Sequence, residues 1–598
     1  MSSKKPNPSA GSPISVDNGM LADAFDEMAM LLEFRGENPF RIRAYQNGAR
    51  AIRELDESVA KILDDPERDL AGIPGIGKTL VDKSRTIVNT GSLPQLEKLR
   101  QEIPPVVIAM SRIPGLGAKK AVRLRDDLSI DSLDDLRAAC NADRVAGLKG
   151  FGKKTQAAIL DGLEIATAAA ERLRYVDADR LVASLREHLD QCDAIDRFEF
   201  AGSYRRGRET VGDLDILTVA DDREAAMDAL EQFPSRTTTI ARGDTKISIR
   251  VRPAFQVDMR CVEADQFGAA LQYFTGSQAH NIRTRKIATG LGYKLNEYGL
   301  FDADDRVVAG ADESEVYRAL GLPWIAPELR EARHEFAWAE NDALPALIET
   351  DDIRGDLHMH TTATDGQCTI REMAEAAIAR GLKYIAITDH SKRVTMAGGL
   401  DADRAIAQWR TIEKLRSEFD GRLHIFTGIE CDILENGGMD LPDDCLAEAD
   451  FVLASVHYGG NQPRDQITER VLGALENPHV DCIAHPTGRL INRRKPYAVD
   501  IEAVIEAAVR HGKWLEINAN PARLDLNDLH AAAAARADVP IVINTDAHAI
   551  ENMDLMRYGI KQARRAGLEK RHVVNTQSLS QFKKSLAAIG NSGSNAVN

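Results

Sequence analysis

Apolar and polar positions follow two rhythms along this chain. After residue 350, short β-branched runs recur every few tens of residues, and each closes on a histidine or carboxylate. They are "YIAITDH" (384–390), "HIFTGIE" (424–430), "FVLASVH" (451–457), "VDCIAH" (480–485) and "VPIVINTDAH" (539–548). A short apolar run followed by a helix-compatible stretch predicts a βα unit, and a series of such units predicts parallel strands. When such strands close into a barrel, their C-terminal ends share one face. The polar residues that end them then meet, however far apart they lie in sequence. The front half has a helical rhythm instead: "NPFRIRAYQNGARAIREL" (38–55) is amphipathic, with Phe40, Tyr45 and Ile52 expected in a core. Between the two regions, "LDILTV" (214–219) and "FQVDMR" (255–260) read as strands.

The residues that end the rear strands define a chemistry. Asp356, His358, His360, Asp365, His390, Glu430, His457, His485, Asp546 and His548 form a histidine and carboxylate series. Neutral imidazole together with carboxylate suits Zn, Mn or Fe, and this many ligands exceeds the needs of one tetrahedral ion. A centre of two or three metals is implied, able to make hydroxide near neutral pH and to clamp a phosphoryl group.

A second constellation lies in "FEFAGSYRRGRETVGDLDILTVA" (198–220). Asp213 and Asp215 are two apart on a strand, so both point to one face. Such a pair repels itself unless cations bridge it, which is what a two-Mg²⁺ site needs. Asp258 adds a third carboxylate from a second strand-like run. Gly202-Ser203 makes a turn whose amides can meet a triphosphate, and Arg205, Arg206 and Arg208 supply charge.

Three further segments share one design: "GIPGIGKT" (72–79), "RIPGLGAKK" (112–120) and "LKGFGKKT" (148–155). Glycines, among them Gly75, Gly77, Gly115 and Gly117, permit a tight turn, and the following helix presents backbone N–H groups to a phosphate without reading any base. Lys119, Lys120, Arg123 and Arg125 add a basic helical face.

At 598 residues the chain holds several domains. Its net charge of −16 excludes a uniformly basic nucleic-acid coat but not local basic faces. Seven scattered cysteines without a CxxC pair read as reduced thiols, so a cytoplasmic, nucleoid-associated location is expected. No run reaches membrane-spanning length, and no hydrophobic segment follows Lys4 and Lys5, so neither a membrane partner nor a signal peptide is expected. Residues 1–17 and the extreme C-terminus read as polar tails.

"DLHMHTTATDG", "ITDHS", "GIECD", "SVH", "AHPTGR" and "NTDAH" together resemble the PHP (polymerase and histidinol phosphatase) domain. That resemblance implies a distorted (βα)7 barrel with a trinuclear Mn²⁺ or Zn²⁺ centre. Its ligands would be His358, His360, Asp365, His390, Glu430, His457, His485, Asp546 and His548, with Asp356 orienting a ligating histidine from outside the ligand set.

The Gly202–Ala220 stretch and "YFTGSQAHNIRTR" (273–285) resemble the palm and thumb of family X DNA polymerases. By that resemblance Asp213 and Asp215 bind two Mg²⁺ ions and the nucleotide, and Asp258 binds the catalytic metal beside the primer end. Ser203, Arg206 and Gly212 meet the β,γ-phosphates next to Gly202. Tyr273 and Phe274 flank the sugar, Gly276 shapes the turn, Asn281 reaches the minor-groove edge and Arg285 the template. Gln256 departs from the arginine that animal members carry there.

Residues 18–95 resemble the family's lyase domain, with Lys83 at the Schiff-base position and Arg41 and Arg43 as phosphate ligands. Lys83 reads equally as an exposed helix lysine, and Phe40 and Thr79 replace polar residues of the family's pocket. The glycine-rich segments resemble helix-hairpin-helix motifs, which also hold Na⁺ or K⁺.

The expected order is a tail (1–17), a lyase-like helical domain (18–95), fingers (96–175), an α+β nucleotidyltransferase palm (176–265), a thumb (266–325), a connector (326–350) and the α/β PHP barrel (351–590). Trp324, Phe336 and Trp338 are expected to be buried around the connector. The expected function is gap-filling DNA synthesis on gapped or nicked DNA with dNTPs, by a monomer. The barrel would remove 3′ nucleotides or blocked 3′ ends, with AP-site incision open to the same centre. Two alternatives stand: a barrel that hydrolyses small phosphomonoesters, and a DNA end-binding scaffold without turnover.

Overall fold

The computed structural model describes residues 18–592 apart from positions 36, 54–58, 66, 67, 74, 104, 112, 114, 115 and 252–254. The tail 1–17, the last six residues and Gly115 therefore lie outside the described residues. The chain forms two compact units, which meet in sequence at Ala169 and Ala170.

The first unit is helical. Helices Asn18–Phe34 and Pro39–Arg53 pack through Leu21, Phe25, Met28, Tyr45 and Ile52, and the Phe25 and Tyr45 rings meet edge to face at 5.8 Å. Phe40 is not in this core: it is 77 % exposed, with the Arg43 guanidinium over its ring. Its place in the first turn of its helix faces it outward, one step off the apolar stripe that Tyr45 and Ile52 continue. The three glycine segments open helices Lys78–Thr90, Ala118–Leu128 and Lys153–Glu171. Gly75 and Gly150 adopt φ of +92° and +91°, a backbone that other residues take only under strain.

In the second unit a five-stranded sheet has the order Ile195–Phe200, Asp213–Ala220, Phe255–Cys261, Lys246–Val251 and Arg236–Arg242. The first two pair antiparallel, whereas Asp213–Ala220 and Phe255–Cys261 run parallel. Burial alternates residue by residue along 255–261, the period expected of a strand with one wet face. Helices Tyr175–Leu189 and Arg223–Glu231 contribute to the core with the opposite face.

Helices Phe267–Thr275 and Gln278–Gly290 and a three-stranded antiparallel sheet follow. His280 is fully buried there, 2.9 Å from Glu335 Oε1 and 2.8 Å from the Tyr317 hydroxyl. The connector is structured, with Phe336 buried and Trp338 half-buried. Trp324, by contrast, is 45 % exposed. Its indole N–H donates to the buried Glu313 carboxylate at 2.9 Å, so its polar edge rather than its ring fixes it.

Seven parallel strands then follow one another in chain order, from Gly355–Asp356 to Ile541–Asn544. A parallel bridge between Met359 and Ala547 joins the first strand's extension to the segment after the last strand and nearly closes the sheet into a barrel. All strand residues but His424 are buried, so the runs read as unbroken apolar stretches rather than alternating ones. The expected ligands stand near or just past the C-terminal ends. Among the described residues no helix is long and apolar enough to cross a membrane.

Candidate active sites

The palm sheet brings its carboxylates together through register. Asp215 pairs directly with Asp258 across the parallel strands, and Asp213 pairs with Gln256 one pleat earlier. Burial, and then the charges of Asp213 and Asp258, push the Asp215 carboxyl up to about 7. Three acids converging on one face call for cations. Asp258 is different. Burial would raise its carboxyl, but hydrogen bonds from Lys246, Gln256 and Ser248 hold it below the usual carboxylate range. Lys246 Nζ donates to Oδ2 at 2.8 Å and Gln256 Nε2 to Oδ1 at 2.9 Å. The positive charge that the Gln256 position lacks thus comes from the neighbouring strand.

The turn at 202–208 lies against these acids. Gly202 has φ +62°, and a β-carbon on it would come within 2.6 Å of Asp215 Oδ2. At Gly212 a β-carbon would come within 2.9 Å of Arg172 Nη1. Arg205 turns away from the acids and binds Glu313 at 2.7 and 2.9 Å. Arg206 donates from Nη1 to the Thr275 carbonyl at 2.5 Å and from Nε to Glu331 at 3.2 Å. The Tyr273 and Phe274 rings stand edge to face at 5.1 Å. Asn281 is buried, donating to the Tyr273 carbonyl at 2.6 Å and accepting from Gln272 at 3.0 Å, whereas Arg285 is exposed.

At the barrel's C-terminal face the sequence-expected ligands come together. His360, Asp365, His390 and His548 form one group able to hold an ion, His358, His360 and Asp546 a second, and His390, Glu430 and His457 a third. His485 joins them, its Nε2 3.0 Å from Glu430 Oε1. His358 Nε2, His360 Nδ1, His390 Nδ1, Glu430 Oε2 and His485 Nδ1 are buried and have no hydrogen-bond partner. Buried polar atoms without partners are costly, and His390 Nδ1 stands 2.7 Å from Glu430 Oε2 without hydrogen-bond geometry. A donor set of imidazoles and carboxylates left open in this way fits bound cations. Burial, then the nearby His390 and His548, bring the His360 pKa down to about 3, whereas at His390 the carboxylates of Glu430 and Asp365 overcome burial and push the ring up to about 10.

Family models agree with both sites. Those described as a helix-hairpin-helix domain and a SAM-like helix-hairpin-helix tandem match residues 16–93 and 107–173. Those described as DNA polymerase beta palm and DNA polymerase beta thumb match 175–248 and 270–331, and the PHP domain matches 356–520. A Bacillus subtilis protein named DNA polymerase/3′-5′ exonuclease PolX is 41% identical over 93% of this chain and 96% of its own. The chain is a family X DNA polymerase fused to a PHP domain. The barrel of this family X polymerase is also similar to a probable phosphatase of Thermoanaerobacter sp. (strain X514), 32% identical over 37% of this chain and 89% of that protein. Its polymerase and PHP domains imply dependence on divalent metal.

The structure adds residues that the sequence reading of this polymerase missed. Glu516, not Asp356, takes the His358 ring: its Oε1 lies 2.7 Å from His358 Nδ1. Its Oε2 accepts from the His485 amide at 2.8 Å. Asn518 and Asn544 donate to the same carboxylate. Asp356 instead accepts from the His358 and Thr545 amides at 3.4 and 3.2 Å and from the Thr545 hydroxyl. The available signal was the run "KWLEINAN" (513–520), a strand with a carboxylate in its middle. Arg523, 3.5 Å from Asp546 Oδ2, brings a cation to the rim.

In the helical unit Lys83 is half-buried. Its Nζ donates to Gln95 Oε1 and lies 5.6 Å above the Tyr45 ring. Gly77 and Gly117 cap their helices without a side-chain acceptor, and Lys119 and Lys120 are exposed. Arg123 and Arg125 pair with Asp127 and Asp126, which weakens the basic face.

Proposed function

We propose that this polymerase fills short gaps in DNA at the palm and trims the primer 3′ end at the barrel. The carrying observation is the presence in one compact unit of two distinct acid-rich centres, one on a strand pair and one on a barrel face. When bound, Mg²⁺ in the palm and Mn²⁺ or Zn²⁺ in the barrel supply charge stabilisation and a water acidified toward neutral pH.

In the palm, Asp213, Asp215 and Asp258 hold the ions, with Asp258 nearest the primer hydroxyl. Gly202, Ser203, Arg206 and Gly212 grip the β,γ-phosphates. Tyr273, Phe274 and Gly276 shape the sugar pocket. Asn281 is released from the Tyr273 carbonyl to reach the minor-groove edge, a contact that tests pair shape because all base pairs carry acceptors there. Arg285 and the helix-hairpin-helix residues Gly75, Gly77, Gly115, Gly117 and Lys119 meet DNA backbone.

In the barrel His358, His360, Asp365, His390, Glu430, His457, His485, Asp546 and His548 hold the ions, and Glu516 keeps the His358 ring turned inward. Lys83 would be the lyase nucleophile, its Nζ held in place by Gln95 Oε1 and over the Tyr45 ring. Removal of blocked 3′ ends and AP-site incision belong to the barrel, and the setting is short-gap base excision repair.

The test uses a one-nucleotide-gapped duplex with a labelled primer and Mn²⁺, with and without dNTPs. Extension with dNTPs and shortening without them is expected. Asp213→Ala should stop extension and spare shortening, and His360→Ala should do the reverse; loss of shortening in Asp213→Ala would refute the division. A second reading, a small-molecule phosphomonoesterase, draws on the barrel's similarity to the probable phosphatase. Faster hydrolysis of p-nitrophenyl phosphate than of DNA would favour it.

A further inference from the structure

We propose that Arg565, on the barrel helix Met556–Arg565, is a positioning residue of the polymerase site: together with Glu331 it holds Arg206 in the orientation that receives the incoming nucleotide's phosphates. This rests on the reading of Arg206 given above.

Arg565 belongs to the barrel, yet its side chain ends in the palm. It is 5 % exposed. Its Nη1 donates to the Arg206 carbonyl at 2.8 Å and to Glu331 Oε1 at 3.1 Å. Its Nη2 donates to Asp528 at 2.7 Å, and Arg333 grips the same Asp528 oxygen at 3.1 Å. The guanidinium is therefore anchored at one end in the barrel and applied at the other to both the backbone and the counter-ion of Arg206. One turn earlier, Lys561 lies across Gly207, where a β-carbon would come within 2.5 Å of its side-chain carbons. The barrel helix thus packs closely against the turn that carries Ser203 and Arg206.

The geometry also explains why Arg206 stays available. A carboxylate facing a lone arginine tends to take it in a two-pronged grip. Here Glu331 Oε1 is shared by Arg206 and Arg565, with Arg208 Nη1 at 3.6 Å, so Arg206 gives it only Nε, and Nη1 goes to the Thr275 carbonyl of the thumb. Arg206 Nη2 makes no hydrogen bond among the described residues and is free for a phosphate. A side chain already fixed at two points, on a backbone held at a third, loses little freedom when the nucleotide binds. None of Arg565, Glu331 or Asp528 belongs to the barrel's ligand set, so the coupling is separable from the exonuclease centre.

The experiment is single-nucleotide insertion on a gapped duplex by the full-length protein, with KM for the dNTP and kcat measured separately and exonuclease activity assayed in the same preparations. Arg565→Gln and Glu331→Gln should each raise the dNTP KM about 10-fold, the size of one lost charge-assisted hydrogen bond. kcat should change by less than about 2-fold and the exonuclease should be unchanged. The double variant should do no more than either single one, because both act through Arg206. Arg565→Lys should recover part of the loss.

A purely structural role would instead lower kcat and exonuclease together at constant KM. If Arg206→Ala raises KM while Arg565→Gln and Glu331→Gln do not, the positioning role is overturned and the reading of Arg206 stands. If Arg206→Ala leaves KM unchanged, that reading fails and takes the inference with it. Should Arg565→Gln fail to fold, Glu331→Gln decides: an unchanged KM overturns the proposal.

Discussion

Glu516 Oε1 lies 2.7 Å from His358 Nδ1, and the other oxygen of the same carboxylate takes the backbone amide of His485. One buried acid thus sets the ring of one expected metal ligand and the main chain of another. Replacing it by glutamine removes the charge and keeps the shape. Glu516→Gln should lower metal affinity or exonuclease activity by about 10- to 100-fold, the range for a partner that orients a ligating histidine. Polymerase activity should not change. Metal titration followed by a 3′-labelled primer assay checks it, and an unchanged titration would remove Glu516 from this role.

Gly202 makes the equivalent contact in the palm. A methyl group there meets Asp215 Oδ2 at 2.6 Å on a backbone already at φ +62°. Gly202→Ala should therefore displace Asp215 or the turn by a substantial fraction of an ångström. Insertion kcat/KM should fall about 100-fold, as for misplacements of this size. Exonuclease on the same preparation should be intact.

Glu328 ties the connector to the barrel, 3.1 Å from Lys561 and 2.9 Å from Arg564. Burial opposes its charge, but Lys561 and Arg564 win and bring its pKa from 4.5 down to about 2. A depressed carboxyl contributes stability that is present above the unfolded pKa and lost as pH falls through the folded one. The window is therefore about pH 4.5 down to about 2, with a contribution of roughly 3 kcal/mol. Glu328→Gln should be less stable than the parent at pH 7 and should lose less stability across that window. Thermal melts over pH 2–7 measure both, and parallel curves would refute it.

Chelation should abolish both activities, since neither set of acids works without its counter-charges. Mn²⁺ added to metal-free protein should raise the melting temperature through the barrel, because ligand binding to the native state stabilises it by mass action. Bound metal measured after dialysis should fall in His360→Ala, whose ring stands in two of the three ligand groups.

Much of this was legible before any fold was known, for a physical reason. Most of the expected rear ligands end an apolar run, and a parallel barrel must bring strand ends to one face. The residues from His358 to His548 could therefore be named without distances. The same holds for Asp213, Asp215 and Asp258, because a strand's period of two fixes which side chains share a face. Glycines at turns were readable because no other residue takes their backbone cheaply.

Tertiary structure alone decided the rest. Phe40 looked like core because it is aromatic on an amphipathic stretch, but its angle on the helix sends it to solvent. Trp324 looked buried because it is large, but a hydrogen bond to Glu313 holds its edge. Glu516 could not be told from any strand carboxylate until the barrel closed around it. Lys246 reaches Asp258 only through cross-strand pairing, and Arg565 reaches Arg206 only because a barrel helix packs on the palm. Local patterns fix which face a residue occupies; which neighbours meet that face depends on long-range packing, and that is where the electrostatics of both sites is set.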